Sequence, residues 1–295
     1  MAGKKETEPE LRARRIRCRI LKMVHASKSS HVGTALSSVD ILVALYFKVM
    51  RIDPKRPDWG ARDIFLLSKG HGCTAQYATL VERGYADAKV LEGFAADGGT
   101  LWGHATSGTL PGVEASTGSL GHGLPIGLGM AIADPARRVF VLLGDGECDE
   151  GSVWEAALFA GHRRPENLVA IIDYNKIQSL GDTKDVLNLE PLADKWKALN
   201  WGVREVDGHD IGAITKALSS LPFKKGRPSV LIAHTIKGKG VSFMENKLDW
   251  HYKNPDDSQL AAALAELGAE ALPAPNGASG GPASPGKTAR RGERP

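Results

Sequence analysis

No run of apolar residues approaches the roughly 18 needed to cross a bilayer, so no membrane-spanning helix is expected. The three cysteines, Cys18, Cys73 and Cys148, are odd in number and far apart. That excludes a disulfide framework and a Cys-x-x-Cys metal pair. Residues 1–11 are charged and lack the apolar core of a secretion signal. With the cysteine usage, this predicts a cytoplasmic, reducing location. Charge of one sign is scarce too: 38 Lys and Arg against 34 Asp and Glu leave a net charge of +4. Part of that excess sits at the two ends of the chain, so neither nucleic acid nor a membrane surface is expected as a partner. Internal repeats are absent.

What is present is an ordinary globular composition, with 42% hydrophobic and 24% charged residues in a chain of 295. The length allows one large domain or two small ones. Residues 1–10 read as a flexible lead, 11–268 as the folded domain, and 269–295 as a disordered tail. The tail is dominated by Pro, Gly, Ala and Ser, too little apolar material to order it. Helical periodicity predicts helices over 11–25 and 38–49, and strand-length apolar runs fall at 64–67, 138–143 and 168–172. A helix is expected over 73–83, a long functional loop over 97–123, and a tightly packed apolar helix over 123–133. Residues 152–162 have helical spacing, so strand, helix and strand form a βαβ crossover with parallel strands. Further strands are expected at 202–206 and 229–233, with a helix over 211–221 between them. The fold class is therefore α/β: a doubly wound, mostly parallel sheet with helices on both faces.

The chemistry concentrates at two strand ends. Asp145 lies just past the first strand of the βαβ unit, and Asn175 follows 30 positions later, just past the second. Neighbouring strands run about 5 Å apart, and ligands of open α/β sheets bind at that edge. A carboxylate, an amide oxygen and a backbone carbonyl are hard donors suited to Mg²⁺, which shares its shell with phosphate oxygens. The helix beginning near Ser152 offers its N-terminus to a diphosphate. Gly144 and Gly146 let the backbone approach it. Gly-Asp-Gly alone is equally a strand-to-helix turn with an Asp cap; the added Asn-Lys makes the pattern more specific.

Several of the nine histidines lie close to glycine: His71 and His122 have one on each side, one precedes His104 and His209, and one follows His31 two positions later. An imidazole in a Gly-rich loop seldom fills a core, and the group points to a polar pocket able to move protons near neutral pH. His162 and His209 individually read as ordinary loop or solvent-facing residues. The glycines from Gly121 to Gly129 superficially suggest a dinucleotide loop. They lack a preceding strand and read instead as close helix packing.

Gly144-Asp145-Gly146-Glu147 with Asn175-Lys176-Ile177 resembles the thiamine-diphosphate signature, and its surroundings resemble transketolase. Ser29-Ser30-His31-Val32-Gly33, Leu67-Ser68-Lys69-Gly70-His71, Gly103-His104, the run from Thr117 to Gly123, Ile236-Lys237-Gly238-Lys239-Gly240 and Trp250-His251 are similar to that family's landmarks, in order. The resemblance spans residues 11 to about 255. It implies the thiamine-diphosphate-binding fold, with thiamine diphosphate and Mg²⁺ as cofactors. Asp145, Asn175 and the Ile177 carbonyl would ligate the metal. Gly146 and His71 would contact the diphosphate, and Gly118 and Leu120 would border the aminopyrimidine and thiazolium. His31, His104 and His251 would line the sugar channel and help proton transfer. Glu150 would lie at the interface with a partner's pyrimidine-binding domain.

The sequence departs from the family pattern at Val32, Ala105 and His122, and most of all in length. The resemblance implies the N-terminal subunit of a split transketolase, moving a two-carbon ketol unit from a ketose, expected as a phosphate, to an aldose. Its partner would be a C-terminal subunit carrying the pyrimidine-binding domain and the catalytic Glu, in an α2β2 assembly. A subunit of another thiamine-dependent carboligase or of a 2-oxo acid decarboxylase is the alternative.

Overall fold

The computed structural model describes residues 7–272. The start of the expected lead and nearly all of the expected tail lie outside the described residues.

Helix α1 (Glu8–Ser27) starts three residues earlier than its periodicity suggests. The cause is local. The Glu10 carboxylate accepts the Thr7 backbone N–H at 2.6 Å and the Thr7 hydroxyl at 2.8 Å, which ties down the first turn. Then come α2 (Val32–Ser37) and α3 (Val39–Ala44). The helix expected over 38–49 is only partly regular, because α3 widens into a π-type turn at Leu45–Val49. The chain continues through β1 (Ile64–Leu67), α4 (Cys73–Arg83), α5 (Gly123–Ala133), β2 (Val139–Gly144), α6 (Gly151–Arg163) and β3 (Leu168–Tyr174). It finishes with α7 (Thr183–Val186), α8 (Leu192–Ala198), β4 (Gly202–Asp207), α9 (Ile211–Leu218), β5 (Ser229–His234) and α10 (Asp257–Glu266).

The strands form one five-stranded sheet in the order β1-β2-β3-β5-β4, and every pairing is parallel. Alternation along each strand splits the interior in two. Phe65, Leu67, Phe140, Leu142, Val169 and Ile171 face α1, α3, α4, α9 and α10. Ile64, Leu66, Val139, Val141, Leu168 and Ala170 face α5, α6 and α8. The expected doubly wound α/β class is the observed one. On the second face α5 lies very close to the sheet: a Cβ at Gly127 would come within 2.5 Å of Val141 Cγ2. That is the close packing expected of its glycines.

The outer strand β4 differs from the central ones. Arg204, Glu205 and Asp207 are exposed on it, whereas β2 and β3 are buried throughout. Among the described residues no helix is long and apolar enough to cross a membrane.

Candidate active site

The parallel register decides where the site lies. Gly144 pairs with Asp173, so β2 and β3 end side by side, and the residues just past each strand, Asp145 and Asn175, reach the same edge. A cavity of ≈ 310 Å³ opens there. Its floor is Gly144, Asp145 and Gly146 at the end of β2, with Asn175, Ile177 and Gln178 after β3. His71 enters from the loop after β1, and Lys237 and His251 from the chain after β5. His31 and Thr34 come from the start of α2, while His104, Gly118 and Leu120 come from the long loop before α5.

Of the site residues expected from sequence, only Glu150 does not line this cavity. It is exposed at the N-terminus of α6, so it forms no part of the wall built by this chain. The buried glutamate of the segment is Glu147. Its carboxylate accepts the Gly121 N–H at 2.9 Å, the Gly144 N–H at 3.1 Å and the Ser68 hydroxyl, joining the long loop to the strand end.

Asp145 is 3% exposed. Its Oδ1 accepts the Gly146 N–H at 2.7 Å, and its Oδ2 accepts the Lys176 N–H. Burial, reinforced by the neighbouring Asp173 carboxylate, pushes its pKa up to about 7. Such a carboxylate is short of positive charge. Asn175 Oδ1 accepts the Ile177 N–H at 3.2 Å, which fixes the loop that carries the Ile177 carbonyl. Among the described residues no group of three or more His, Cys, Asp or Glu is placed to hold a metal. A zinc-type cluster therefore has no counterpart here, whereas one underpaired carboxylate, one amide oxygen and one carbonyl fit a hard cation that shares its shell with phosphate. The residues present fit Mg²⁺ with thiamine diphosphate on that ground.

Four histidines crowd the cavity. The His31 ring lies 5.1 Å from His71, 5.2 Å from His251 and 6.4 Å from His104, centroid to centroid. Burial first, then the charges of neighbouring groups, lowers His31 to about 4 and His251 to about 3, and holds His71 well below its ordinary value. These three rings are neutral at pH 7. His122 is exposed at the start of α5 and does not join them. His209 is a structural link, with Nδ1 2.7 Å from Asp40 Oδ2 and Nε2 accepting the Ile236 N–H at 2.7 Å.

Sequence reasoning missed the buried charges behind the site. Lys69 and Asp173 form an ion pair with both side chains fully buried. Asp173 also accepts the Ser37 hydroxyl at 2.6 Å and the Thr235 hydroxyl, while Lys69 donates to the Thr34 carbonyl at 3.1 Å. Lys237, 1% exposed, donates to the Ile177 carbonyl at 2.8 Å. Burial lowers its pKa to about 8. An acid inside the otherwise apolar strand containing Asp173 was the one local sign of this network.

Comparison with known proteins adds the lineage of this geometry. Residues 10–274 match the family described as "Transketolase, thiamine diphosphate binding domain". An apulose-4-phosphate transketolase subunit from Phocaeicola vulgatus is 41% identical over 262 residues, covering 88% of this chain and 93% of that protein. Its namesake from Actinobacillus succinogenes is 43% identical, covering 88% and 96%. The 6-deoxy-6-sulfo-D-fructose transketolase subunit SqwG of a Clostridium species is 44% identical, covering 80% and 88%. The structure superposes on that of transketolase from Leishmania mexicana with a TM-score of 0.83 at 33% identity. That match takes in 89% of this chain and only 41% of the Leishmania chain.

Proposed function

Because this chain belongs to the transketolase family as its thiamine-diphosphate-binding part, we propose that it is the N-terminal subunit of a two-subunit transketolase. One observation carries this reading. Relatives called transketolase subunits are matched over 88–96% of their own length, while the Leishmania transketolase is matched over 41%. The remaining parts of the catalytic site belong to a second polypeptide, the C-terminal subunit, with its pyrimidine-binding domain and catalytic glutamic acid. Two copies of each chain make the assembly, which works in the cytoplasm. The donor is a ketose carrying an anionic group, in keeping with the phosphorylated and sulfonated sugars in the relatives' names.

When bound with Mg²⁺, thiamine diphosphate supplies the nucleophilic carbon that two-carbon transfer requires. This chain binds and orients. Asp145, Asn175 Oδ1 and the Ile177 carbonyl would hold the cation. Gly146 and His71 would contact the diphosphate, with Gly118 and Leu120 bordering the aminopyrimidine and thiazolium. His31, His104 and His251 hold the sugar hydroxyls. Because His31 and His251 are neutral, each can donate from one ring nitrogen and accept at the other. Glu150 meets the partner subunit.

The test is reconstitution. The purified chain with Mg²⁺, thiamine diphosphate, a ketose phosphate and an aldose should transfer no two-carbon unit. Adding the C-terminal subunit should start the transfer. Turnover by the lone chain would remove the split-enzyme reading, and an assembled pair that decarboxylates 2-oxo acids without moving ketol units would remove transketolase.

A further inference from the structure

Lys237 is held unusually firmly for a lysine. Its own carbonyl accepts the Asn246 N–H at 2.9 Å, and the next residue, Gly238, donates its N–H to the Gly33 carbonyl at 2.9 Å. A Cβ at Gly33 would stand 3.1 Å from Lys237 Cγ, so the lysine stem lies closely against this glycine and a side chain there would make it shift by a few tenths of an ångström. The Nζ therefore reaches two fixed partners: the Ile177 carbonyl at 2.8 Å and His251 Nδ1 at 2.8 Å. His251 is anchored in turn, since its carbonyl accepts the His31 N–H at 2.9 Å.

The chemistry of this contact has one sense. A carbonyl oxygen can only accept, and an ammonium has only protons to give. His251 Nδ1 must then present a lone pair to Lys237, which puts the ring proton on Nε2. Among the described residues no protein group bonds Nε2, and His251 lines the cavity. We infer that Lys237 is a positioning residue that locks His251 in the Nε2–H tautomer, so that His251 faces the channel as a fixed hydrogen-bond donor. It meets a sugar oxygen as a donor and does not serve as a general base through that nitrogen. The same ammonium ties this ring to the carbonyl assigned to the metal, so order in the metal loop and the facing of His251 are set together. The inference rests on the transketolase reading only for what fills the channel; the tautomer does not depend on it.

The test uses the full chain labelled with [¹⁵N]histidine, with long-range ¹H–¹⁵N spectra at pH 6.5. His251 is assigned by its disappearance in His251→Gln. The expected pattern is a protonated Nε2 and an unprotonated Nδ1. In Lys237→Met, His251 should average between the two tautomers. A protonated Nδ1 or a tautomer mixture in the unmodified chain overturns the inference, as does an unchanged His251 pattern in a folded Lys237→Met. If that variant does not fold, the unmodified spectrum alone decides. A failed reconstitution of ketol transfer with an intact Nε2–H pattern would count against the transketolase reading and leave the lock standing.

Discussion

Asp173 lies in register with Gly144 on the neighbouring strand, and its buried carboxylate works against ionisation of Asp145, the residue that follows that glycine. Lys69 answers Asp173 directly through a buried ion pair, which leaves Asp145 as the carboxylate with unmet demand for positive charge. The site is thus biased toward a cation before any cofactor arrives.

Asp145→Asn separates stability from binding. Burial disfavours the charge on Asp145, so the neutral isostere should leave the melting temperature of the metal-free chain unchanged or raise it. The assembled enzyme should lose Mg²⁺-dependent binding of thiamine diphosphate. The loss should exceed the roughly 10–100-fold that removing even a metal ligand's supporting partner costs. Titration calorimetry with and without Mg²⁺ measures this, and unchanged affinity would take Asp145 out of the metal site.

His104→Ala should act on turnover. His104 lines the cavity from the long loop, 6.4 Å from His31 between ring centroids, whereas Asp145 and Asn175 come from the ends of β2 and β3. Loss of a positioned proton donor lowers kcat by about 10²–10⁴, with cofactor affinity nearly unchanged. Steady-state kinetics of the reconstituted enzyme, set beside its cofactor titration, separates the two effects. Poor cofactor binding with normal turnover would place His104 against the cofactor instead.

Lys69→Met tests the buried network. It removes the ammonium from a fully buried pair and strands Asp173. Breaking one partner of such a pair costs about 3–5 kcal/mol, which urea denaturation would register as a lower midpoint. A loss below about 1 kcal/mol would mean that Ser37, Ser38 and Thr235 compensate the carboxylate without the lysine.

The neutral histidines give stability a defined pH dependence. His31 and His251 have folded pKa values of about 4 and 3, below the ordinary imidazole value near 6.5. Between these limits the unfolded chain binds more protons than the folded one, so stability falls as pH falls from about 6.5 toward 4. His31→Gln and His251→Gln should each flatten that slope. Melting temperatures recorded from pH 7.5 to 4.5 check it, and identical slopes in all three proteins would show that these rings are not held neutral.

Much of this was legible in the sequence because it is written locally. The apolar run that became β2 ends where the chain leaves the sheet, and that of β3 stops two residues short of the strand's end, at Asp173, so both put Asp145 and Asn175 at the strand ends. His31, His71, His104 and His251 could be grouped through their motif surroundings, and the structure brings their rings together. The buried charges were not legible, since their meaning depends on partners far along the chain: Lys69 and Asp173 are 104 positions apart. Lys237 sits in a recognisable motif, yet nothing near it points to His251. Helices α7 and α8, of 4 and 7 residues, are too short to display a period. Helix α10 does carry a local signal, the Asp256 and Gln259 capping pair, but its apolar spacing is weak.

The charged outer strand has a consequence for how molecules of this protein can meet. Arg204, Glu205 and Asp207 stand exposed along β4, which among the described residues has no sheet neighbour on its far side. A strand arriving from another molecule would have to press its side chains against three ionised groups and strip them of water. Growth of the sheet across a molecular boundary, the route that leads from ordered association to fibres, is disfavoured on that side. A partner approaching there must be met by side chains of helices and loops, where recognition depends on shape and sequence rather than on a backbone ladder that any strand could join.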